Sequence, residues 1–318
     1  MPKDLHILPK LRDSLSFLYI ERAVLEQDAM SIVSIQGEAR TPIPIAAMTV
    51  LMLGPGTSIT HAAIKAISDC GCLVVWCGER AARFYASGYG ETRSAANLLH
   101  QAMLCMDPSL HLQVVYRMYA RRFPGIRIKG MSLKQVRGIE GIRVREAYRN
   151  ASKASGVKWG KRDYKTENWD NANEINRALS YANTILYGIC QAAIISLGYS
   201  TGLGFIHTGK LLSFVYDIAD LYKATVTIPA AFDAVGQSPP DLERTIRIEC
   251  RKNLHAQKVL SRIPEDIAWI LDIQAEREDE IALQPGDLWD GAGATTRGGV
   301  NYAKEDLSNG NDYDGKCD

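Results

Sequence analysis

The hydrophobic period of this chain changes once, near Glu91, and that switch limits the folds open to it. Ahead of it lie short runs rich in β-branched and aromatic residues, at 16–20, 23–25, 31–35, 48–53, 72–76 and 82–86, separated by acids, Gly and Pro. Such runs are strands with turn residues between them. Beyond the switch, apolar residues recur at helical spacing through 94–105, 110–123, 133–155, 173–197, 214–222, 241–260 and 263–281. The expected architecture is α+β. A small N-terminal β-rich domain (1–90) precedes a larger all-α-helical domain (91–281) and a flexible acidic tail (282–318). One helix interrupts the strands at 59–68, capped by Thr57 or Ser58 after the turn Gly54-Pro-Gly-Thr-Ser. That turn lacks the Gly-Lys-Ser/Thr of a phosphate loop. In the tail, where Gly, Asp, Asn and Thr dominate, residues 283–289 are the one apolar anchor.

The net charge of +1 hides a strong asymmetry. Between Tyr116 and Lys165, fifteen Lys and Arg stand against three acids; from Pro264 to Asp318, four stand against fourteen. The middle is built for a polyanion, and the acidic end either solubilises the chain or docks on a basic partner. Apolar runs such as 73–76 and 211–216 fall far short of the roughly 20 residues of a membrane span. The N-terminus lacks the layout of a secretory signal, so a cytoplasmic protein with no membrane partner is expected. Seven cysteines, with Cys70, Cys72 and Cys77 around an apolar strand, lack zinc-ribbon spacing and are expected to be buried thiols.

Three stretches could carry chemistry. Gly198-Tyr-Ser200-Thr-Gly202 matches the nucleophile elbow of serine hydrolases, but a helix precedes it and the acid follows the histidine, so a helix-ending turn is expected. The second stretch runs from Leu203 to Leu221. A loop of small residues presents His207 and Lys210, and an apolar run then carries Asp217 and Asp220 on one helical face. Carboxylates in such a setting need a cation, and hard oxygens with one imidazole suit Mg²⁺ or Mn²⁺. The third is Arg137-Gly-Ile-Glu140-Gly-Ile-Arg143-Val-Arg145, a single acid in the most basic part of the chain. Its two glycines each weaken a helix by about 1 kcal/mol, which makes sense if another backbone or a ligand must come close. The bland alternative is an ion pair of Glu140 with Arg137 or Arg143. Between two helices, Tyr164 and Trp169 stand among Lys161, Arg162 and Lys165 as a basic aromatic loop suited to stacking on nucleic acid.

These residues, in this order, resemble the CRISPR-associated integrase, the first and most widespread of the CRISPR-associated proteins, in its type I-E form. The similarity lies in Gly54-Pro-Gly-Thr, Val74-Val-Trp76, Tyr85-Ala-Ser-Gly88, Gln135-Val-Arg-Gly-Ile-Glu-Gly141, Leu186-Tyr-Gly188 and the run from Gly204 to Asp220. The resemblance implies a small β domain joined to a larger helical one. It implies metal ligands at Glu140, His207 and Asp220, with Asp217 as an assisting acid. Arg83, Tyr187, Tyr216, Lys223, Arg244, Arg247 and Arg251 lie in segments similar to DNA-contacting positions, and Arg137, Arg145 and Lys210, beside the metal motifs, are expected to bind DNA as well. It further implies a homodimer bridged by the second CRISPR-associated protein, which inserts captured double-stranded DNA through its 3′ ends at the leader end of a CRISPR array. Tyr19 is a candidate wedge at the duplex ends.

The expected chemistry is direct transesterification: the divalent ion polarises a phosphate while a DNA 3′-hydroxyl attacks in line, with no covalent enzyme intermediate. A structure-selective, metal-dependent DNA repair nuclease and a catalytically silent DNA-binding scaffold are the alternatives.

Overall fold

A computed structural model describes residues 17–28, 31–79, 84–88, 95–160, 174–272, 287–289 and 295–297. The chain divides into two units, Met1–Ala275 and Glu276–Asp318, which are taken separately.

The first unit begins with two four-stranded sheets. One has the order β1 (Phe17–Ile20), β5 (Val50–Leu53), β7 (Leu73–Cys77), β8 (Phe84–Gly88), with β8 antiparallel and the other pairings parallel. The other has the order β4 (Ala39–Ile43), β3 (Ser31–Gln36), β2 (Val24–Asp28), β6 (Ser58–Ile59). Strand β4 escapes sequence reading because four of its five residues are exposed and Pro42 interrupts it; an edge position tolerates both. Helix α1 (His61–Asp69) starts two residues later than expected, because Ser58 and Ile59 pair with Val24 and Leu25 before the helix can begin. Its cap is therefore Thr60, whose hydroxyl accepts from Ala63 N at 3.2 Å. The turn glycine Gly54 has a steric reason, since a Cβ there would overlap the Tyr19 hydroxyl. Tyr19 is held in the sheet, donating to Glu21 Oε2 at 2.6 Å. Cys72 and Cys77 are buried thiols, as expected.

Eight helices follow among the described residues: α2 (Ala96–Met106), α3 (Pro108–Arg122), α4 (Leu133–Ser155), α5 (Glu174–Ser196), α6 (Ser213–Asp220), α7 (Thr227–Gly236), α8 (Leu242–Ala256) and α9 (Val259–Leu271). Helix α5 is the axis. It has the length and hydropathy of a membrane span, yet most of its apolar residues are buried within the protein, packed mainly with α6, α7 and α8. Near its end, Ala192 and Ile195 pack against Val50, Met52, Leu73, Val75 and Cys77, joining the helices to the first sheet.

Two helical expectations are corrected. Helix α7 is missed because it is buried nearly all round, through Ile228, Ala230, Ala231, Phe232, Ala234 and Val235, so its sequence has no polar face to mark a period. Pro229 suggests a breaker, but it lies in the first turn, where a missing N–H is no loss. The helices expected at 241–260 and 263–281 are instead divided at Gln257 and Lys258. Lys258 adopts φ 49°, and α9 runs only to Leu271, followed by Asp272 at φ 56°.

In the second unit, β9 (Asp287–Trp289) pairs antiparallel with β10 (Thr295–Arg297). The remainder of the expected anchor at 283–289 lies outside the described residues.

Candidate metal centre

The loop between α5 and α6 is fixed from three sides. Helix α5 stops at Gly198, φ 79°, where Gly198 N and Tyr199 N return to Ile195 O and Ile194 O. Gln101 on α2 then binds both ways, its Nε2 donating to Ser200 O and Leu203 O and its Oε1 accepting from Ser200 N at 2.8 Å. Ser200 Oγ accepts from Gly202 N, so the elbow-like motif is a helix-ending turn, as expected. Gly204 allows a close approach, since a Cβ there would overlap the carbonyl oxygen of His207 and the Ser213 side chain.

From inside, Asp217 closes the loop. It is 2% exposed, and its carboxylate accepts from Phe205 N (2.7 Å), Ile206 N (3.2 Å), His207 N (2.9 Å) and His207 Nδ1 (2.7 Å). Four donors occupy its lone pairs, and one of them is the His207 ring that this carboxylate orients. With the Nδ1 proton held by a carboxylate, Nε2 is the ring atom able to ligate. The hydrogen bond that His207 donates to Asp217 is the main cause raising the His207 pKa above its ordinary 6.5; burial opposes it, and the charges of Asp217 and Asp220 add to it.

Glu140 and Asp220 meet at a single atom. Arg122, in the last turn of α3, forms an ion pair through Nη1 with Glu140 Oε1, and the same Nη1 lies 3.3 Å from Asp220 Oδ2. The outer oxygens are held separately. Tyr119 donates to Glu140 Oε2 at 3.0 Å, and Lys223 Nζ forms an ion pair with Asp220 Oδ1 at 2.6 Å. Burial first, and then the Glu140 charge, push the Tyr119 hydroxyl up to about 12. Burial lowers the Lys223 pKa, but the Asp220 and Tyr187 contributions outweigh it and the net shift is upward. Tyr187 and Tyr216 complete the wall: Lys223 lies 5.0 Å from the Tyr187 ring, Tyr187 meets Tyr216 edge-on at 5.0 Å, and Tyr216 meets His207 at 5.8 Å.

Two carboxylates and one imidazole are a donor set that fits Mg²⁺ or Mn²⁺, and a cation already bridges the carboxylates. As these side chains stand, with Arg122 between the acids, no three His, Cys, Asp or Glu groups among the described residues gather at ion-binding distance. The ion pair expected for Glu140 with Arg137 or Arg143 is instead made with Arg122. Sequence reading missed Arg122 and Tyr119. Their only signal is the basic pair Arg121-Arg122 at a helix end, and nothing local says that the two arginines diverge. Arg121 pairs with buried Asp266 on α9, which also accepts from Tyr222.

The basic middle forms the outer face of α4. Only Val136 of that helix is fully buried, while Lys134, Arg137, Arg143, Arg145, Arg149 and Lys153 are exposed. Gly138 faces open space, with nothing within 4 Å of a Cβ built there, so no protein backbone explains it. Lys210, Arg244 and Arg251 are exposed. Arg247 is not: its side chain is 9% exposed, donates a hydrogen bond to the Tyr181 hydroxyl at 2.8 Å and forms an ion pair with Glu79 at 3.6 Å, tying α8 to the β-rich part. Arg83, Tyr164 and Trp169 lie outside the described residues.

Residues 119–239, which contain every member of this centre, match the family described as CRISPR associated protein Cas1. A CRISPR-associated endonuclease Cas1 of Thermus thermophilus is 48% identical over 97% of this chain and 96% of its own length. One of Geobacter sulfurreducens is 44% identical, covering 82% of this chain and 86% of its own. Among solved structures, that of a TtCas1–DNA complex superposes with a TM-score of 0.76 at 51% identity, covering 84% of this chain and 100% of that one. With the Thermus relative matched almost end to end, this chain belongs to the Cas1 family of CRISPR-associated proteins.

Proposed function

We propose that this chain is a metal-dependent DNA endonuclease and integrase of CRISPR adaptation, of the type I-E kind, acting in the cytoplasm. The observation that carries the reading is the convergence of Glu140 Oε1 and Asp220 Oδ2 on one cation, with the Asp220 charge felt by a His207 whose Nε2 is left open by Asp217. Glu140, His207 and Asp220 would hold a divalent ion, which would supply Lewis-acid activation of the scissile phosphate and of the attacking 3′-hydroxyl. Lys223, beside Asp220, would add a second positive charge toward phosphate oxygens, and Tyr187 and Tyr216 are the aromatic side chains there that DNA would meet. The exposed cations of α4, with Lys210, Arg244 and Arg251, supply sequence-independent phosphate contacts. The partners are double-stranded protospacer DNA with free 3′ ends, CRISPR leader-repeat DNA, a second copy of the chain and the second CRISPR-associated protein as a bridge. Homology to endonucleases and to a protein crystallised with DNA supports this reading.

The test is a supercoiled plasmid carrying a leader and repeats, incubated with the protein, its bridging partner, a labelled duplex and Mg²⁺ or Mn²⁺. Half-site and full-site products are expected. Nicking without label transfer would favour the repair nuclease, and DNA binding with neither would favour the scaffold.

His207 also sets a pH dependence. Ligation requires the neutral ring, so Mn²⁺ affinity should fall as pH drops, with a midpoint above 6.5 because Asp217 stabilises the imidazolium. Metal-free stability runs the other way. A histidine with a raised folded-state pKa contributes stability below its unfolded value, and that contribution is lost as pH rises through the folded value. Calorimetric titration of Mn²⁺ between about pH 5.5 and 8.5 reads the first effect, spanning the ordinary imidazole range. Affinity independent of pH across that window would remove His207 from the ligand set.

A further inference from the structure

We propose that Arg122 is a built-in counter-ion of the metal centre, which a divalent ion must displace before the site can assemble. The proposal rests on the reading of Glu140 and Asp220 as ligands. Of the four carboxylate oxygens on these residues, Arg122 Nη1 takes the two that face each other, Glu140 Oε1 and Asp220 Oδ2. The two that face away are held by other groups, Tyr119 on Glu140 Oε2 and Lys223 on Asp220 Oδ1. Removing the guanidinium would therefore free one inward oxygen on each acid while both side chains stay anchored. Those two oxygens are the pair a small divalent ion needs.

The physical case is one of competition. Two carboxylates facing one point repel each other, and a cation there offsets the repulsion when no metal is bound. A guanidinium stays charged at every pH a protein tolerates, so it cannot make way by losing a proton, as lysine or histidine can. It has to move. Its Cζ already lies 5.7 Å from the Phe123 ring, which Arg143 also approaches at 5.6 Å, so the aromatic contact left to a displaced guanidinium is a shared one. With a side chain only 12% exposed, Arg122 is no loosely tethered surface group, so its displacement opposes metal binding. The device keeps the acidic centre folded and silent when divalent ion is scarce, and it raises the concentration at which the centre loads.

The test uses the full chain without DNA at pH 8, with Mn²⁺ alone as the probe, titrated into the wild type, Arg122→Gln, Arg122→Lys and Glu140→Ala. Arg122→Gln should bind Mn²⁺ roughly tenfold more tightly, the size expected for losing one competing charge-assisted contact. Arg122→Lys should fall between it and the wild type. In EDTA, Arg122→Gln should melt below the wild type, and Mn²⁺ should raise its melting temperature by more. Equal or weaker Mn²⁺ binding by Arg122→Gln, with Glu140→Ala binding abolished, overturns the counter-ion role and leaves the metal centre standing. If Arg122→Gln does not fold, Arg122→Lys decides, and binding no tighter than wild type overturns the proposal. If Glu140→Ala binds like the wild type, or no protein binds, the ligand assignment itself fails and the proposal with it.

Discussion

Glu140→Ala and Asp220→Ala should each lower strand joining by about a thousandfold or more, the effect of several kcal/mol of lost transition-state stabilisation at about 1.4 kcal/mol per factor of ten. Duplex binding should survive in both. The cations that would meet phosphate lie on the exposed face of α4, and each substitution removes a negative charge rather than a positive one. Folding should survive too, because Arg122 contacts both acids: Asp220 keeps it in Glu140→Ala, and Glu140 keeps it in Asp220→Ala. Asp220→Ala is the harder case, since it also removes the partner of Lys223, a side chain only 24% exposed. A modest loss of stability is expected there, and circular dichroism separates it from the loss of chemistry. The decisive measurement is label transfer to plasmid at saturating Mn²⁺, alongside duplex affinity. Joining within tenfold of wild type in either variant would remove that residue from the ligand set.

The site was legible in the sequence where its residues are local and chemically unusual. His207, Asp217 and Asp220 fall within fourteen positions, and carboxylates in an apolar run advertise a need for positive charge. Glu140 stood out as a lone acid among cations, but its link to that run came only through resemblance, because sixty-odd residues separate them and no spacing rule spans such a gap. Arg122 stayed invisible for the opposite reason. In a stretch with fifteen cations, one more arginine carries no signal until α3 and α4 are packed and Tyr119 and Arg122 both reach Glu140. By spacing alone Asp217 and Asp220 are equivalent members of one helical face, and only the resemblance made Asp220 a ligand and Asp217 an assisting acid. The structure separates them by what surrounds each: four donors on Asp217, two cations on Asp220.

The fold divides in the same way. The amphipathic α4 is read to the residue, Leu133–Ser155, since its start carries the Ser132–Gln135 capping box and its end the left-handed Gly156. Helix α7 is lost because complete burial erases periodicity, and β4 because exposure does. Sequence pattern registers a half-buried element best, so elements buried throughout or exposed throughout fall outside it.

Asp217→Ala should be the most destabilising substitution at the centre. It strips acceptors from Phe205 N, Ile206 N, His207 N and the His207 ring in a part of the protein where water cannot replace them all. Unsatisfied buried donors cost about 1–3 kcal/mol each, and partial relaxation of the loop brings the expected loss to about 3–5 kcal/mol. Asp217→Asn is milder and more informative. Its amide oxygen can keep part of the donor set while its NH₂ group faces the remaining N–H groups, so the loop loosens on one side. Mn²⁺ affinity should fall about 10–100-fold, as expected when the group that orients a histidine ligand is impaired. The pH midpoint for metal binding should also move down toward 6.5, because the hydrogen bond and charge that raise the His207 pKa are weakened. Loss of affinity and the downward shift must occur together. Lost affinity with an unmoved midpoint would mean that Asp217 acts on the loop alone, whereas urea unfolding of Asp217→Ala in EDTA at the wild-type midpoint would mean that Gln101 and the Gly204 turn hold the loop without it.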